Sequence, residues 1–243
     1  TNNTINTILV QPKPTSGFLY LKNLYTPIVG KTNIVKNTVK LDKQMLITGP
    51  NASGKTTLLK ATLLNVLLAQ QIGCGYFSKE SKIRLYDTIN CYINIPDTSG
   101  RDSLFQSEAR RCKEIYDSVM NNIHKNHFCI FDELYSGTNP YEAISASYSF
   151  IKHLSKRTNI DFILTTHYID LCKHLEKNDK LQNCSMKTIT ETDNFKYTYK
   201  LEDSISNVRG GVKVLQDLNY PKQIIDDTRN FLQKIELLSI KKK

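Results

Sequence analysis

The chain has 243 residues, 40% of them hydrophobic and 23% charged, which is ordinary for a soluble globular protein with one large domain. No stretch approaches the roughly 18 consecutive apolar residues of a membrane-spanning helix, and no basic-then-apolar leader opens the chain. We therefore expect an intracellular protein without a membrane partner, in the cytoplasm, the nucleus or a viral factory.

The net charge of +10 fits a surface that binds DNA, RNA or anionic lipid. It fits a compositional bias equally well, because Lys, Asn and Ile are abundant throughout and the last three lysines form a solvated tail. The charge alone leaves both interpretations open. The six cysteines form no CxxC pair and no Cys/His cluster with zinc spacing, which favours free thiols in a reducing compartment.

The first half of the chain predicts a strand and two helices. Residues 1–15 begin with a polar stretch, and we expect them to be disordered. A short apolar run at 45–49 predicts a strand, and the nearly continuous apolar residues from 55 to about 69 predict a helix that is buried on most sides. Apolar residues at three- and four-residue steps predict an amphipathic helix from 103 to about 122.

The second half continues the α/β alternation. Apolar runs at 128–131 and 161–166 predict parallel strands covered on both faces, and Asn139 and Pro140 predict the start of a helix between them. A helix at 169–175 is followed by two alternating segments, which predict a β-hairpin. One face of its second strand would carry Phe195, Tyr197, Tyr199 and Leu201. Two short helices follow Gly210 and Gly211.

Residues 49–56 read GPNASGKT and match the phosphate-binding pattern GxxxxGK[ST] between a predicted strand and a predicted helix. The backbone N–H groups of such a loop point at phosphate oxygens, and the helix N-terminus adds a favourable dipole. We expect Lys55 to reach the β- and γ-phosphates of ATP, Thr56 to bind Mg²⁺, and Thr57 to contact the α-phosphate. The predicted nucleotide-binding residues are Gly49, Pro50, Asn51, Ala52, Ser53, Gly54, Lys55, Thr56 and Thr57.

Two acidic residues follow the apolar run at 128–131, at the sheet edge where α/β proteins bind their ligands. We expect Asp132 to be the second partner of Mg²⁺ and Glu133 to polarise the attacking water. His167 ends the next predicted strand, which makes it a candidate γ-phosphate sensor, although a lone histidine is often structural. The candidate catalytic residues are therefore Lys55, Glu133 and His167.

The residues of these motifs resemble those of the MutS family, the DNA mismatch-repair ATPases. TGPNASGKTT is similar to the family's TGPNxxGKST, DELYSGT keeps the acids, Gly137 and Thr138 of DExxxGT, and THY is intact at 166–168. The family's later glycine is replaced within YEA. The resemblance covers nearly the whole chain. It implies an α/β P-loop NTPase of the ABC-like class, with a mixed or parallel sheet flanked by helices, a C-terminal β-hairpin and a helix-turn-helix-like appendage.

The same resemblance implies a division of the chain and a shared active site. Residues 16–205 would form the ATPase domain, and residues 206–243 a C-terminal helical dimerisation element with a basic tail. GRDSLFQSE is similar to the family's GRSTFMxE, with Ser103, Phe105 and Glu108 at the family's spacing. In the family this serine faces the nucleotide of the opposite subunit, so Ser103 would bind in trans. Ser103 before Gln106 is also the pattern of an ordinary helix N-cap, and the two roles are compatible.

Two further matches concern the base of the nucleotide. IVKNTVKL resembles the family's FVPNDVxL, whose first residue lies against adenine, and Ile34 has that place here. Tyr199 matches a late position that flanks the base in some members. Pro27 is retained from the family's HP motif, with Thr26 in place of its histidine.

The resemblance implies the ATP-hydrolysing motor domain of a MutS-like mismatch-repair protein, a homo- or heterodimer that closes around ATP and gates DNA binding. Double-stranded DNA would be bound by N-terminal domains that this sequence does not contain, so we expect part of a longer protein or a reduced family member. A mismatch-repair protein is a candidate partner.

Three alternatives remain open. A transporter or SMC-like ABC ATPase would carry an LSGGQ-type signature where this chain has DSLFQSEARR. A MutS-like ATPase acting in recombination or another non-mismatch role would share every motif named above. A non-hydrolysing interaction module would not need Lys55, Asp132, Glu133 and His167 together.

Overall fold

The computed structural model describes residues 9–27, 34–93, 95, 103–191, 194–206, 208 and 210–240. Along this part of the chain the elements are β1 (Lys13–Thr15), β2 (Tyr20–Leu24), β3 (Asn37–Lys40), β4 (Gln44–Thr48), α1 (Lys55–Ile72), β5 (Lys82–Arg84), β6 (Thr88–Tyr92), α2 (Leu104–Asn121), β7 (His127–Asp132), α3 (Pro140–Leu154), β8 (Ile160–Thr166), α4 (Ile169–Leu175), β9 (Leu181–Glu191), β10 (Asn194–Glu202), α5 (Gly211–Asp217) and α6 (Lys222–Ile240). The predicted α/β alternation is confirmed. Parts of two predicted features, residues 100–102 of the serine loop and the lysines at 241–243, lie outside the described residues.

The larger sheet has six strands in the order β10-β9-β4-β8-β7-β6. The strands from β9 to β6 in this order pair in parallel, and β10 runs antiparallel to β9. Every residue of β4 and β8 is buried. Strands covered on both faces carry continuous apolar runs, which is why their sequences show no alternation. Because the parallel strands end at one edge, the segments after β4, β7 and β8 meet there.

The core lies on both faces of this sheet. Along β7, Phe128 and Ile130 join a cluster with α1 and the smaller sheet, whereas Cys129 and Phe131 join a cluster with α2, α3 and α4. Successive side chains of a strand point to opposite faces, so one short run supplies both clusters. The sheet is therefore held between two packed layers, and its loop-bearing edge remains open.

The smaller sheet has the order β1-β5-β2-β3 and packs over α1. Lys13–Thr15, which we expected within a disordered segment, form β1 and pair in parallel with β5. Ordered structure thus begins before residue 16, while residues 1–8 lie outside the described part. The polar composition was the only local signal here, and it carries no information about pairing with a strand about 70 residues away.

Helix α1 begins at the phosphate loop and runs to Ile72, slightly beyond the predicted end. The expected burial on most sides is confirmed over residues 55–69, where only Thr57, Lys60 and Leu67 are exposed, whereas Ile72, beyond the predicted end, is 59% exposed. Leu58, Leu59 and Val66 form the buried face.

The chain ends in the predicted hairpin, β9 and β10, followed by two contacting helices, α5 and α6. The register of the hairpin shifts between Tyr197 and Leu201. The ring centroids of Phe195 and Tyr197 lie 5.3 Å apart and those of Tyr197 and Tyr199 6.0 Å apart, as expected if these three side chains share one face. Tyr199 has a φ of 57° within this bulge. The helix-turn-helix-like dimerising role of α5 and α6 stays a prediction. Among the helices described, none is both long and apolar enough to cross a membrane.

Candidate nucleotide-binding and catalytic site

The loop between β4 and α1 turns through three residues with positive φ, at 155° for Gly49, 62° for Ala52 and 97° for Gly54. A Cβ atom on Gly49 would lie 2.8 Å from Ser53 Oγ, so only glycine fits there. Ser53 N donates a hydrogen bond to Pro50 O at 3.3 Å. The sequence pattern GPNASG thus folds into a tight loop that ends at a helix N-terminus.

Lys55 crosses the inside of this loop. Its side chain is 5% exposed, and its Nζ donates hydrogen bonds to Gly49 O at 2.9 Å and Pro50 O at 3.2 Å. Burial lowers the pKa of Lys55, against the opposite effects of the carboxylates of Glu133 and Asp132. The buried ammonium group is therefore held at the point where a phosphate chain would pass.

The donors of the loop fit a phosphate group. Ser53 is 1% exposed, and its hydroxyl has no hydrogen-bond partner among the described residues. The N–H groups in the first turn of α1 have no intrahelical acceptors. Phosphate oxygens satisfy such donors, and the helix dipole favours their charge.

A second group of oxygens lies beside the loop and suits Mg²⁺. Thr56 Oγ1 donates to Asp132 Oδ1 at 3.1 Å, and the hydroxyl of the buried Thr165 donates to the same carboxylate oxygen. Hydroxyl and carboxylate oxygens are the ligands that Mg²⁺ prefers. The structure therefore brings together the two residues that we named for the metal, and Thr165 orients one of them. Thr165 was not among the predicted site residues, although it lies one residue before the end of β8, at the sheet edge that carries the site.

Glu133 is the central carboxylate of the site. It follows β7 with a φ of 54°, and its N–H donates to Thr165 O at 3.0 Å. Its Oε1 lies 3.6 Å from His167 Nδ1 and 3.6 Å from Lys55 Nζ. The His167 ring, followed by the Lys55 ammonium, holds the pKa of Glu133 below its ordinary value of 4.5, although partial burial acts in the opposite direction. Glu133 is therefore ionised at neutral pH and faces the loop.

Two clefts meet at Glu133. The first, about 720 Å³, is lined by Thr56, Thr57, Ala52, Gly54 and Lys55, and also by Ile34 and Tyr199. The second, about 710 Å³, is lined by Gly49, Pro50 and His167 and reaches α4 and the two glycines at the start of α5. Asn51 and Glu133 line both. Ile34 and Tyr199, the residues predicted for the base, thus share the first cleft with the second half of the phosphate loop, whereas Gly49 and Pro50 line the second cleft.

The position of Tyr199 in the first cleft depends on a residue that we did not predict. Asn37 is 9% exposed; its Nδ2 donates to Tyr199 O at 2.9 Å, and its Oδ1 accepts from Leu201 N at 2.8 Å. These bonds hold the bulge of β10, so that the Tyr199 ring, 44% exposed, lies against Gly54. Asn37 belongs to the same IVKNTVKL stretch as Ile34, and that was the signal available.

Ser103 is exposed and is not among the residues that line either cleft. It caps α2: Gln106 N donates to Ser103 Oγ at 3.3 Å, and Ser103 N donates to Gln106 Oε1 at 2.8 Å. The predicted N-cap is confirmed as a reciprocal capping box. The binding of a second protomer's nucleotide by Ser103 remains a prediction.

Known proteins with similar sequences carry MutS names. The chain is 28% identical over 212 residues to the DNA mismatch repair protein MutS of Persephonella marina, covering 84% of this chain and 24% of that protein. It is 27% identical over 227 residues to the MutS of Bacillus mycoides, covering 90% of this chain and 25% of that protein. It is 30% identical over 206 residues to the Endonuclease MutS2 of Clostridium botulinum, covering 84% and 25%.

The chain thus spans about a quarter of the length of these relatives. Residues 45–236, from β4 to within α6, match the family described as MutS domain V. This match contains the phosphate loop, the acidic pair, the histidine after β8 and the helical pair. The chain therefore belongs to the MutS domain V family.

Proposed function

We propose that this chain is a Mg²⁺-dependent ATPase, the motor domain of a MutS-like DNA-repair protein. One observation carries the proposal: Lys55, the Thr56–Asp132 pair and the Glu133–His167 pair converge at a loop whose buried Ser53 hydroxyl lacks a partner among the described residues. Phosphoryl transfer to water needs mainly positioning and neutralisation of charge. This set of residues supplies both.

Binding is assigned to the first cleft. The loop N–H groups and Lys55 would hold the β- and γ-phosphates, and Thr56 with Asp132 would hold Mg²⁺, which neutralises phosphate charge when bound. Ile34 and Tyr199 also line this cleft, and an apolar side chain and an aromatic ring suit contact with a base.

Hydrolysis is assigned to Glu133. Its lowered pKa keeps it ionised, so it orients a water and accepts a proton from it rather than acting as an acid. His167 lies 3.6 Å from the carboxylate, is 45% exposed and lines the second cleft. Its position supports contact both with Glu133 and with a γ-phosphate at the end of the loop.

The test is Mg²⁺-dependent ATP turnover of the wild type against Glu133→Gln. The variant should turn over about 10²- to 10⁴-fold more slowly, the usual contribution of a general base, while binding ATP with nearly unchanged affinity. Glu176→Gln, an exposed glutamate at the end of α4, is the matched control and should behave as wild type. Equal turnover of all three proteins would remove Glu133 from the mechanism.

We further propose that two protomers close around ATP, with Ser103 of one meeting the nucleotide of the other. Support comes from the exposed capping position of Ser103, away from its own clefts. Ser103→Arg should abolish ATP-induced dimers in sedimentation experiments but leave nucleotide binding to the monomer intact. Dimers that persist in this variant would contradict the shared site.

The wider role is gating of DNA binding by additional domains of a longer protein. Mismatch repair is the leading candidate, because most of the relatives described above carry that name. A non-mismatch role is the second candidate, since one relative at 30% identity is named Endonuclease MutS2. Stimulation of turnover by mismatched, perfectly paired or four-way-junction DNA distinguishes the two in the protein that carries this domain.

A further inference from the structure

A buried carboxylate outside the catalytic pair joins α2 to the loop that follows Glu133. Glu108 is 2% exposed. Its Oε1 accepts hydrogen bonds from Ser136 N at 3.1 Å and Ser136 Oγ at 2.8 Å, and its Oε2 accepts from Gly137 N at 3.0 Å. All three partners are donors, and an ionised carboxylate offers only acceptors. Hydrogen bonds to a charged acceptor are about twice as strong as neutral ones, so this is a firm connection.

The same loop packs directly on the first turn of α2. A Cβ atom on Gly137 would lie 2.7 Å from Leu104 Cγ and 2.8 Å from Phe105 N. The rings of Phe105 and Tyr135 are 5.8 Å apart. This close approach leaves no room for the loop to slide along the helix without breaking the bonds to Glu108.

The opposite side of the loop is also held. Tyr135 has a φ of 57°, and its N–H donates to Tyr92 Oη at 3.2 Å, at the end of β6. Residues 135–137 are therefore fixed between β6 and α2. Glu133 stands two residues before this segment, and Ser103 stands one residue before Leu104. Glu133 is thus attached to the loop, and Ser103 to the helix, that Glu108 holds together.

We propose that Glu108 is a positioning residue that ties the place of Glu133 to the place of Ser103 within one protomer. The inference rests on the proposed function, because Ser103 would meet the nucleotide of a second copy. A protomer whose own site is closed around Mg²⁺ and ATP then presents Ser103 in a defined place to its partner. Glu108 is not among the residues that line either cleft, so it would act through the loop and the helix.

Glu108→Gln is the sharpest perturbation. It keeps the size of the side chain, but its NH₂ group would face an N–H or O–H donor in a buried place. Glu114→Gln is the matched control, since Glu114 lies on the same helix, is 55% exposed and pairs with Arg111 on the surface.

In steady-state ATPase assays, we expect Glu108→Gln to lower kcat at least tenfold while KM for ATP changes less than twofold. Glu114→Gln should leave both constants within twofold. A smaller folded fraction would also lower the apparent kcat at unchanged KM, so kcat is calculated per ATP-binding site titrated in each variant. A Glu108→Gln enzyme with wild-type kcat, or with KM raised in parallel, would overturn the proposal.

A double-mutant cycle tests the connection to Ser103. Ser103→Ala and Glu108→Gln are each expected to weaken ATP-dependent dimers in sedimentation experiments, and the double variant should be no weaker than the worse single variant, because both act through one contact. Additive losses would mean that Glu108 does not act through Ser103, and would overturn the proposal.

Amide hydrogen exchange without nucleotide separates this inference from the proposed function. Glu108→Gln should speed exchange at least tenfold both at residues 135–137 and in the first turn of α2, and Glu114→Gln should not. Absence of ATP turnover in the wild type would refute the function, and the exchange result would still decide whether Glu108 links the two segments. If Glu108→Gln does not fold, Ser136→Ala is the second variant, because it removes one of the donors to Glu108. It should speed amide exchange at both segments by a smaller factor, and unchanged exchange at both would overturn the link.

Discussion

Replacement of Asn37 by alanine tests how Tyr199 is held in the cleft where we propose that the base binds. Asn37 binds two main-chain groups of the β10 bulge, Tyr199 O and Leu201 N, across 162 and 164 residues of sequence. Alanine leaves both groups without these partners. It also releases Tyr199 from a φ of 57°, which a tyrosine rarely adopts.

The expected magnitudes follow from these contacts. A buried polar group that loses its partner costs about 1–3 kcal/mol, and water reaches this part-buried bulge, so we expect the free energy of unfolding to fall by about 2 kcal/mol. Stacking of a base on an aromatic ring contributes about 1–3 kcal/mol. If the released Tyr199 ring leaves the cleft, ATP should bind about 5- to 150-fold more weakly, since 1.4 kcal/mol is a factor of ten.

Urea unfolding gives the stability, and fluorescence titration with an ATP analogue and Mg²⁺ gives the Kd. Tyr199→Phe keeps the ring and should retain the Kd within twofold. The double variant Asn37→Ala/Tyr199→Ala should bind no more weakly than Tyr199→Ala alone. An Asn37→Ala protein that loses the expected stability but binds ATP like the wild type would refute the positioning of Tyr199 by Asn37.

Three further predictions concern the catalytic end. Glu133 is ionised above its lowered pKa and loses its pairing only as the pH falls through that value, so protonation of Glu133 should not reduce the wild-type kcat above pH 4.5. His167→Asn removes the group that lowers this pKa most, so the acidic fall in kcat should move to higher pH in a pH–rate profile. Asp132→Asn should lower turnover about 100-fold and raise the Mg²⁺ concentration needed, measured by adding Mg²⁺ to EDTA-treated protein, whereas an unchanged requirement would exclude Asp132 as a metal partner. Lys55→Met removes a charged donor and should weaken ATP binding about tenfold or more in the same titration.

Several features of the fold and site could be predicted because their causes are local. The capping box of Ser103 and Gln106, and the start of α3 at Asn139 and Pro140, depend on residues within one helical turn. The buried strands β7 and β8 follow from their apolar runs. The turn of the phosphate loop follows from its glycines, and the order strand–loop–helix is enough to put Lys55 and Thr56 at the start of α1.

Other features could not be predicted because they join distant segments. β1 pairs with β5, Asn37 holds the bulge at Tyr199, and Glu108 binds the loop at Ser136, 28 residues further along the chain. No periodicity or propensity records which distant main-chain group a side chain will meet. Strand order and register decide that, and register depends on the packing of the whole sheet.

Local chemistry therefore accounts for the phosphate loop, the acidic pair and the helix caps, since each needs only neighbouring residues and the backbone geometry that they favour. Packing decided how these pieces face one another: it set Glu133 within reach of both Lys55 and His167, laid Tyr199 against Gly54, and fastened α2 to the loop beyond the acids. These contacts arise only when the parallel strands end at a common edge and the segments after them are pressed together, which is a property of the folded sheet and not of any stretch within it.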